Sequence, residues 1–316
     1  MSAAAVPTVR VDAGPPAGPS RAVVGLGWLI AFLSLLAAGT GLLSSGGPGR
    51  RAFTTVHGQT VELYGRGLYQ HDTVFAAAGQ RGGDVVMVFI GVPLLILSLT
   101  VYRRGTAWSR LLLTGTLAYF LYVYASAALG TVAYNSLFLL YVVIASAALF
   151  AFLLAFPSVE PASWRSHADK HGPRRFAAVF MLISAGVTAT VWTLPLLGTL
   201  AGGAPPDRLD SYSTPVTYAL DLAVITPAAA IAGLLILRRR WLGHVVAVSL
   251  LVLEVMLAPL IVAQTVSQVA AGISLQPAEV AGPVAGFVVI AVVAGWVLVS
   301  VLRGIRASGR QRPVVS

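Results

Sequence analysis

Long apolar stretches, repeated along the chain, constrain its fold more than any other feature. Each has roughly 20 residues with few or no charges, which is the length that an α-helix needs to cross the hydrocarbon core of a bilayer. Eight such stretches occur, at about 22–44, 84–102, 111–129, 134–156, 176–200, 216–237, 242–266 and 282–302. The sequence therefore predicts an all-α, polytopic transmembrane helix bundle of about eight spans with a small structured outer loop.

Composition supports a membrane protein and removes several function classes. Only 10% of the 316 residues are charged and 57% are apolar, whereas soluble domains carry about 25% charged residues. The lipid bilayer is therefore the first predicted partner, and nucleic acid is not a partner despite the net charge of +10. The absence of cysteine excludes disulfides, thiolate metal sites and cysteine nucleophiles.

The basic residues predict how the chain is oriented. If the N-terminus is cytoplasmic, sixteen basic residues lie in inner segments and five in outer segments. Arginine and lysine accumulate in cytoplasmic loops of membrane proteins. The asymmetry predicts a bacterial plasma-membrane protein with both its N-terminus and its C-terminus in the cytoplasm.

The segments between the spans are predicted to be tails and loops. Residues 1–21 are expected to form a disordered cytoplasmic tail and residues 303–316 a basic cytoplasmic tail, around a bundle over 22–302. The loops are 45–83 and 201–215 outside, and 157–175 inside. The first span is longer than the 7–15-residue core of a signal peptide, so an uncleaved helix is preferred over a cleaved signal.

Two of the predicted spans suggest an internal duplication. The second places Asp84 toward its outer end and Pro93 within the span, and the sixth repeats this order with Asp221 and Pro227. Both spans end in arginines. Two parallel four-helix repeats of this kind occur in transporters, with the substrate site at their interface. The alternative is a chance likeness, because the Asp–Pro separations differ by three residues.

Three carboxylates at or near membrane depth are the main candidates for a ligand- or ion-binding site. Glu254 lies near the middle of the seventh span, where a bare carboxylate costs at least about 2.5 kcal/mol on insertion scales. Asp221 lies in the outer half of the sixth span, and Asp84 at the outer mouth of the second. Each has a structural alternative, which is a protonated, hydrogen-bonded glutamate or an aspartate that caps a helix start.

A polar and aromatic group on the third and fourth spans completes this predicted site. Tyr119 and Tyr122 are three residues apart on one helical face, and Asn135 follows near the start of the fourth span. If the duplication is real, Tyr119 occupies the position equivalent to Glu254 and would face it. The alternative is a belt of interfacial aromatic residues.

The first outer loop is the largest polar segment between spans. Residues 54–56 and 60–63 flank a turn and predict a short β-hairpin, and Asp72 or Thr73 is expected to cap a short helix through Ala78. Five side chains are predicted to line an outer-loop ligand pocket: His57, Glu62, Arg66, His71 and Asp72. The alternative is an outer cap with no ligand.

No catalytic, metal or cofactor signature is present in the sequence. His167 and His171 are four residues apart, but a third metal ligand is missing. Walker, Rossmann-type, HExxH and GxSxG patterns do not occur. The sequence therefore predicts no catalytic residues, no metal site and no cofactor, and it does not favour an enzyme.

Several short motifs resemble an uncharacterised family of bacterial multi-pass membrane proteins. They are the segment from Glu62 to Asp72, the Arg81-Gly-Gly-Asp84 run with Pro93 downstream, the Tyr134-Asn135 segment, and Ala219-Leu-Asp221. The resemblance implies the same multi-pass architecture. It implies no activity, because none is attached to the family.

These features lead to three functional hypotheses. The first is binding or transport of a small solute or cation through an outward-facing cavity lined by Asp84, Asp221, Glu254, Tyr119 and Tyr122. The second is a non-catalytic accessory or assembly protein, with another membrane protein as partner and with buried, dry carboxylates. The third is an intramembrane enzyme on a lipid-linked substrate, which lacks a nucleophile or metal constellation.

Overall fold

The computed structural model describes residues 18–130, 135–159, 171–202, 209–274 and 277–309. Over these ranges the chain forms eight helices that are long and apolar enough to span a membrane. They are α1 (Arg21–Leu43), α2 (Val74–Tyr102), α3 (Ala107–Leu129), α4 (Phe138–Ala155), α5 (His171–Gly202), α6 (Val216–Leu237), α7 (Trp241–Ala270) and α8 (Pro277–Gly309). The predicted all-α multi-pass class is confirmed.

The second span starts ten residues earlier than the apolar pattern indicates. Thr73 caps α2 by accepting a hydrogen bond from the N–H of Ala76, as the sequence suggested. However, the helix does not stop at Ala78 but continues into the membrane span. Small residues explain the difference, because Gly79 and Gly82 are buried and let a weakly apolar segment pack closely against α7. The outer loop therefore ends at Thr73 and not at residue 83.

Other boundaries differ by fewer residues. The fourth helix starts at Phe138, and the region 131–134, which includes Tyr134, lies outside the described residues. The eighth helix continues to Gly309, through the first part of the predicted basic tail. Residues 1–17, 310–316 and 160–170, which include His167, also lie outside the described residues.

Both spans that suggested a duplication contain the same irregular turn. A π-helical turn occupies Met87–Gly91 in α2 and Asp221–Ile225 in α6, and in each case a proline follows as the second residue after it. The wide turn relieves the clash that a proline ring makes with the preceding turn of an α-helix. Such a shared irregularity supports two related halves. Aligned on the prolines, Asp221 corresponds to Met87, and Asp84 lies one turn nearer the loop.

The first four helices meet the last four where α2 and α3 pack against α7. Gly115 permits the α3 contact, since a Cβ there would lie 2.7 Å from a methyl carbon of Val252. Every residue from Leu250 to Glu254 is buried. The seventh helix is therefore central to the bundle and has little lipid-facing surface at this depth.

Helices α2 and α6 share the π-turn but differ in how closely they are packed against their neighbours. In the first half, Gly82 approaches α7 so closely that a Cβ would lie 2.5 Å from the carbonyl oxygen of Ala263. In the second half, each residue from Val216 to Ile225 is at least partly exposed. The segment of α6 that carries Asp221 is therefore packed more loosely than its counterpart.

The bundle has two distinct ends. The arginine face holds Arg103, Arg104 and Arg238–Arg240, and there the N–H of Ser20 donates to the hydroxyl of Tyr102. The loop face, at the other end, holds the segment between α1 and α2. In this segment β1 (Arg51–Thr54) pairs antiparallel with β2 (Thr60–Leu63), so the predicted hairpin is confirmed with its first strand starting earlier.

Candidate functional site

Glu254 is a deeply buried carboxyl with incomplete hydrogen bonding. Only 8% of the residue is exposed. The hydroxyl of Ser184, from α5, donates to Oε1 at 2.5 Å. The other oxygen, Oε2, is buried and has no hydrogen-bond partner among the described residues. Because a buried unsatisfied polar atom costs about 1–3 kcal/mol, this oxygen requires an explanation.

Asp221 is bound by two neutral donors from other helices. The hydroxyl of Tyr122 donates to Oδ1 at 2.8 Å, and the indole N–H of Trp192 donates to Oδ2 at 2.8 Å. The Trp192 ring also packs against Tyr218, with centroids 4.1 Å apart. Neither Asp221 nor Glu254 forms an ion pair with an arginine or lysine in the part of the chain that the structure describes.

One face of α5 connects the two carboxylates. Ser184, Thr188 and Trp192 follow one another at four-residue intervals, so they lie on the same side of the helix. We call these three residues the α5 polar face. Its ends bind Glu254 and Asp221, and its length is about 12 Å at the α-helical rise.

A further buried hydroxyl lies on the same helix as Asp221. Thr226 follows the π-turn of α6, five residues beyond Asp221. Its Oγ1 is buried and has no hydrogen-bond partner among the described residues. Thus two unsatisfied polar atoms, on Thr226 and Glu254, lie on neighbouring helices of the second half.

Asp84, in contrast, forms a structural junction at the loop face. It accepts a hydrogen bond from the Tyr69 hydroxyl at 2.7 Å and lies directly against Gly41 of α1. Arg81, one turn away on α2, donates to the carbonyl oxygen of Gly41 at 3.1 Å. Burial and the nearby Asp84 carboxylate raise the pKa of Tyr69 well above its usual value. These contacts tie α1, α2 and the outer loop together.

The remaining predicted site residues do not join either carboxylate of the second half. Tyr119 is 1% exposed and packs edge-on against Phe120. The hydrogen bond of Glu254 goes to Ser184, so the suggested pairing with Tyr119 is not seen. The Asn135 side chain accepts from the N–H of Leu137 at 2.9 Å and so shapes the start of α4.

The five residues of the predicted outer-loop pocket do not converge. His57, Arg66 and His71 are exposed. Glu62 is exposed as well, and pairs with Arg50 at 3.5 Å. A cleft of 230 Å³ does lie at this face, but it is lined by other, uncharged residues: Thr40, Ser44, Ser45, Gly46, Gly47, Gly67, Leu68, Gln70 and Ser136. Across the described residues, no group of three or more His, Asp or Glu could hold a metal ion.

Asp72 belongs instead to a contact between two loops. Thr73 donates a hydrogen bond to Asp210, which lies in the loop before α6 and has a φ of 62°. Burial, and secondarily the Asp210 carboxylate, raise the pKa of Asp72 from 3.8 to about 7. Burial also raises the pKa of Asp210 itself. The loop junction therefore contains two carboxyls that resist simultaneous ionisation.

Sequence reasoning missed the contribution of α5. Ser184 and Trp192 were not among the predicted site residues, although they donate hydrogen bonds to Glu254 and Asp221. The four-residue spacing of Ser184, Thr188 and Trp192 within an apolar span was the available signal. Comparison with known proteins found no matching protein-family model, curated protein or solved structure.

Proposed function

We propose that this multi-pass membrane protein binds a small cation within the membrane and moves it through the half of the bundle formed by α5, α6 and α7. Glu254 is the binding carboxyl in this proposal. The observation that carries it is the buried Oε2 without a hydrogen-bond partner among the described residues. A proton, or a cation that coordinates oxygen, would satisfy that atom.

The contrast with Asp84 favours binding over a purely structural role. An accessory protein is expected to satisfy its membrane-depth carboxyls within the bundle. Asp84 meets this expectation through Tyr69, with Arg81 one turn away. Glu254 does not, because its described contact leaves one oxygen unsatisfied, and buried polar groups in proteins are usually satisfied by protein or by bound water.

The α5 polar face supports a route toward Glu254. Ionisable side chains inside a membrane are costly and often mark a solute or ion pathway, and Ser184 and Trp192 each bind one of them. Here Ser184, Thr188 and Trp192 face the two helices that carry the carboxylates. The partly exposed segment Val216–Ile225 of α6 supports a start of this route near the loop face.

The arginine distribution supports an orientation for the proposed movement. With the arginine face in the cytoplasm of a bacterial cell, the loop face lies outside, as the positive-inside rule predicts. Asp221 would then be reached from outside before Glu254. The resemblance to bacterial multi-pass proteins is in line with this location.

Carbodiimide labelling tests the proposed binding carboxyl. A hydrophobic carbodiimide reacts with protonated carboxyl groups that are shielded from water, and mass spectrometry of the digested protein locates the adduct. We expect an adduct on Glu254 in native membranes, and slower labelling at higher pH or in the presence of a cation that binds. Glu254→Gln should lose the adduct. Labelling of Glu254 that neither pH nor any cation changes would contradict the proposal.

Thiol labelling tests the route separately, and the natural absence of cysteine makes it direct. Single cysteines would replace Thr188 and Val187, which are adjacent on α5. Thr188 belongs to the α5 polar face, whereas Val187 is 43% exposed on the outer surface of the bundle. We expect a water-soluble thiol reagent to label Thr188→Cys faster than Val187→Cys, because thiolates form where water reaches the side chain. Equal, slow labelling at both positions would argue for a dry bundle and an accessory role.

A further inference from the structure

We infer that Asp221 and the aromatic rings around it form a binding site for an organic ammonium group. The rings belong to Tyr122 of α3, Trp192 of α5 and Tyr218 of α6. The inference rests on the proposed function, since both place a cation in the second half of the bundle. It adds the chemical class of the ligand and a separate, shallower place of binding.

The described partners of Asp221 carry no positive charge. Its two described hydrogen bonds come from a phenol and an indole, which are neutral donors. They orient the carboxyl group and supply no positive charge to balance it when it is ionised. An ionised carboxylate offers about four acceptor positions, so two donors leave room for a cation.

The aromatic surroundings select the type of cation. The rings of Trp192 and Tyr218 are packed against each other, with centroids 4.1 Å apart at an angle of 34°, so each has only its outer face left for a cation. The hydroxyl of Tyr122 holds a third ring beside the carboxyl group. Aromatic faces attract ammonium groups, with tryptophan the strongest, and cages of such rings recognise quaternary ammonium ligands. A strongly hydrated inorganic ion would gain less here, because rings replace few of its water ligands.

Asp221 and the rings near it are accessible from the surface of the bundle. Asp221, Tyr122, Trp192 and Tyr218 are all partly exposed. Asp221 is five residues from the start of α6, which corresponds to about 7 Å along the helix. At this depth a ligand with an apolar tail and an ammonium head can approach from the side of the bundle, past exposed residues such as Val191 and Val224.

The first half provides a matched contrast. Asp84 lies one turn nearer the loop face on α2, packs against Gly41 and has Arg81 one turn away. A cation there would meet an existing positive charge and a close helix contact. The ammonium site is therefore expected only in the second half.

Calorimetric titration with tetramethylammonium tests the inference. The full-length protein would be placed in phosphatidylglycerol nanodiscs at constant ionic strength, with potassium as the balancing cation. We expect saturable binding to the native protein. Asp221→Asn keeps an oxygen for Tyr122 but loses the charge, so it should weaken binding by about tenfold or more. The matched control Asp84→Asn should stay within about twofold of native affinity.

Further variants keep the test interpretable. Tyr122→Phe and Trp192→Phe each remove one donor while leaving Asp221 charged, and both are expected to weaken binding less than Asp221→Asn. Tetramethylammonium should bind the native protein whether or not Glu254 reacts with the carbodiimide, which separates this site from that carboxyl. If carbodiimide labelling of Glu254 fails, the result of the tetramethylammonium titration still stands. If the titration fails, the labelling result still stands.

Titrations in two lipids distinguish whether the ammonium group belongs to a lipid headgroup or to a free compound. If phosphatidylcholine nanodiscs suppress tetramethylammonium binding, the site takes a choline headgroup, and if both lipids give the same affinity it takes a free ammonium compound. Three results would overturn the inference: no saturable binding to the native protein, equal binding to Asp221→Asn, or potassium binding as tightly as tetramethylammonium.

Discussion

Ser184 and Trp192 lie on one face of α5, eight residues apart, and donate hydrogen bonds to carboxylates on two other helices. Ser184 binds Glu254 of α7, and Trp192 binds Asp221 of α6. A single helix thus positions both membrane-depth acids of the second half. This arrangement leads to predictions that concern stability as well as binding.

Removal of the Ser184 hydroxyl should destabilise the bundle. In Ser184→Ala the buried carboxyl of Glu254 loses its described donor, and an unsatisfied buried group costs about 1–3 kcal/mol. Thr190→Ala is the matched control on α5, because the Thr190 hydroxyl is exposed and bonds to the carbonyl of Gly186 in its own helix. That variant should change the free energy of unfolding by less than about 0.5 kcal/mol. Chemical unfolding in micelles measures both, and equal effects would contradict the assignment.

Substitution of Gly82 should loosen the contact between α2 and α7. A Cβ at this position would lie 2.5 Å from the carbonyl oxygen of Ala263, and this backbone atom cannot rotate away. We expect Gly82→Ala to cost about 1–3 kcal/mol, as overpacking does elsewhere. Gly186→Ala is the control, because no atom lies within 4 Å of the added methyl, and alanine favours helix. Its unfolding midpoint should stay the same or rise, and a fall as large as that of Gly82→Ala would be inconsistent with the packing described.

The loop junction should weaken as the pH rises through the neutral range. The folded protein holds a proton on Asp72 up to about pH 7, whereas the ordinary pKa is 3.8. The folded state therefore binds more protons between these values, and its stability falls as the pH increases across them. Asp210, whose pKa is also raised by burial, contributes with the same sign.

Hydrogen exchange of the loop at pH 5 and pH 8 checks this dependence, after correction for the intrinsic exchange rate. Amides of residues 60–73 should be better protected at the lower pH. Asp72→Asn should reduce the difference, because the amide side chain does not ionise. Glu62→Gln, at an exposed salt bridge with Arg50, should leave the difference unchanged.

The π-turn of α6 should tolerate the loss of one residue. A π-turn acts as a one-residue insertion in an α-helix, so deletion of Val224 together with Pro227→Ala can restore regular helix without rotating either end. Deletion of Ile231 with the same proline change should instead rotate one end by about 100° and misplace Asp221 relative to the arginine face. Both deleted residues are exposed, at 55% and 52%. The two variants are compared by their folded yield and by the tyrosine infrared bands that report the Tyr122–Asp221 contact. An equal loss in both variants would argue against an inserted turn.

The sequence alone determined the local features of this protein. Eight spans, a helix cap at Asp72 or Thr73 and the hairpin around Gly58 follow from apolar length, a short polar side chain at a helix start and a glycine turn, all of which depend on neighbouring residues. The same local pattern placed the start of α2 at Asp84, because the segment before it is only weakly apolar. Contact with α7 through Gly79 and Gly82 extended the helix.

Only the tertiary structure decided which acids are satisfied. Asp84, Asp221 and Glu254 look alike in sequence, yet Asp84 lies in a closed junction, Asp221 among aromatic rings, and Glu254 against a single serine. The donor to Glu254 lies 70 positions away in the sequence, and the donors to Asp221 lie 29 and 99 positions away. Helix rotation and interhelical distance bring such pairs together, and these depend on how whole faces pack, which the apolar pattern of a single span does not specify.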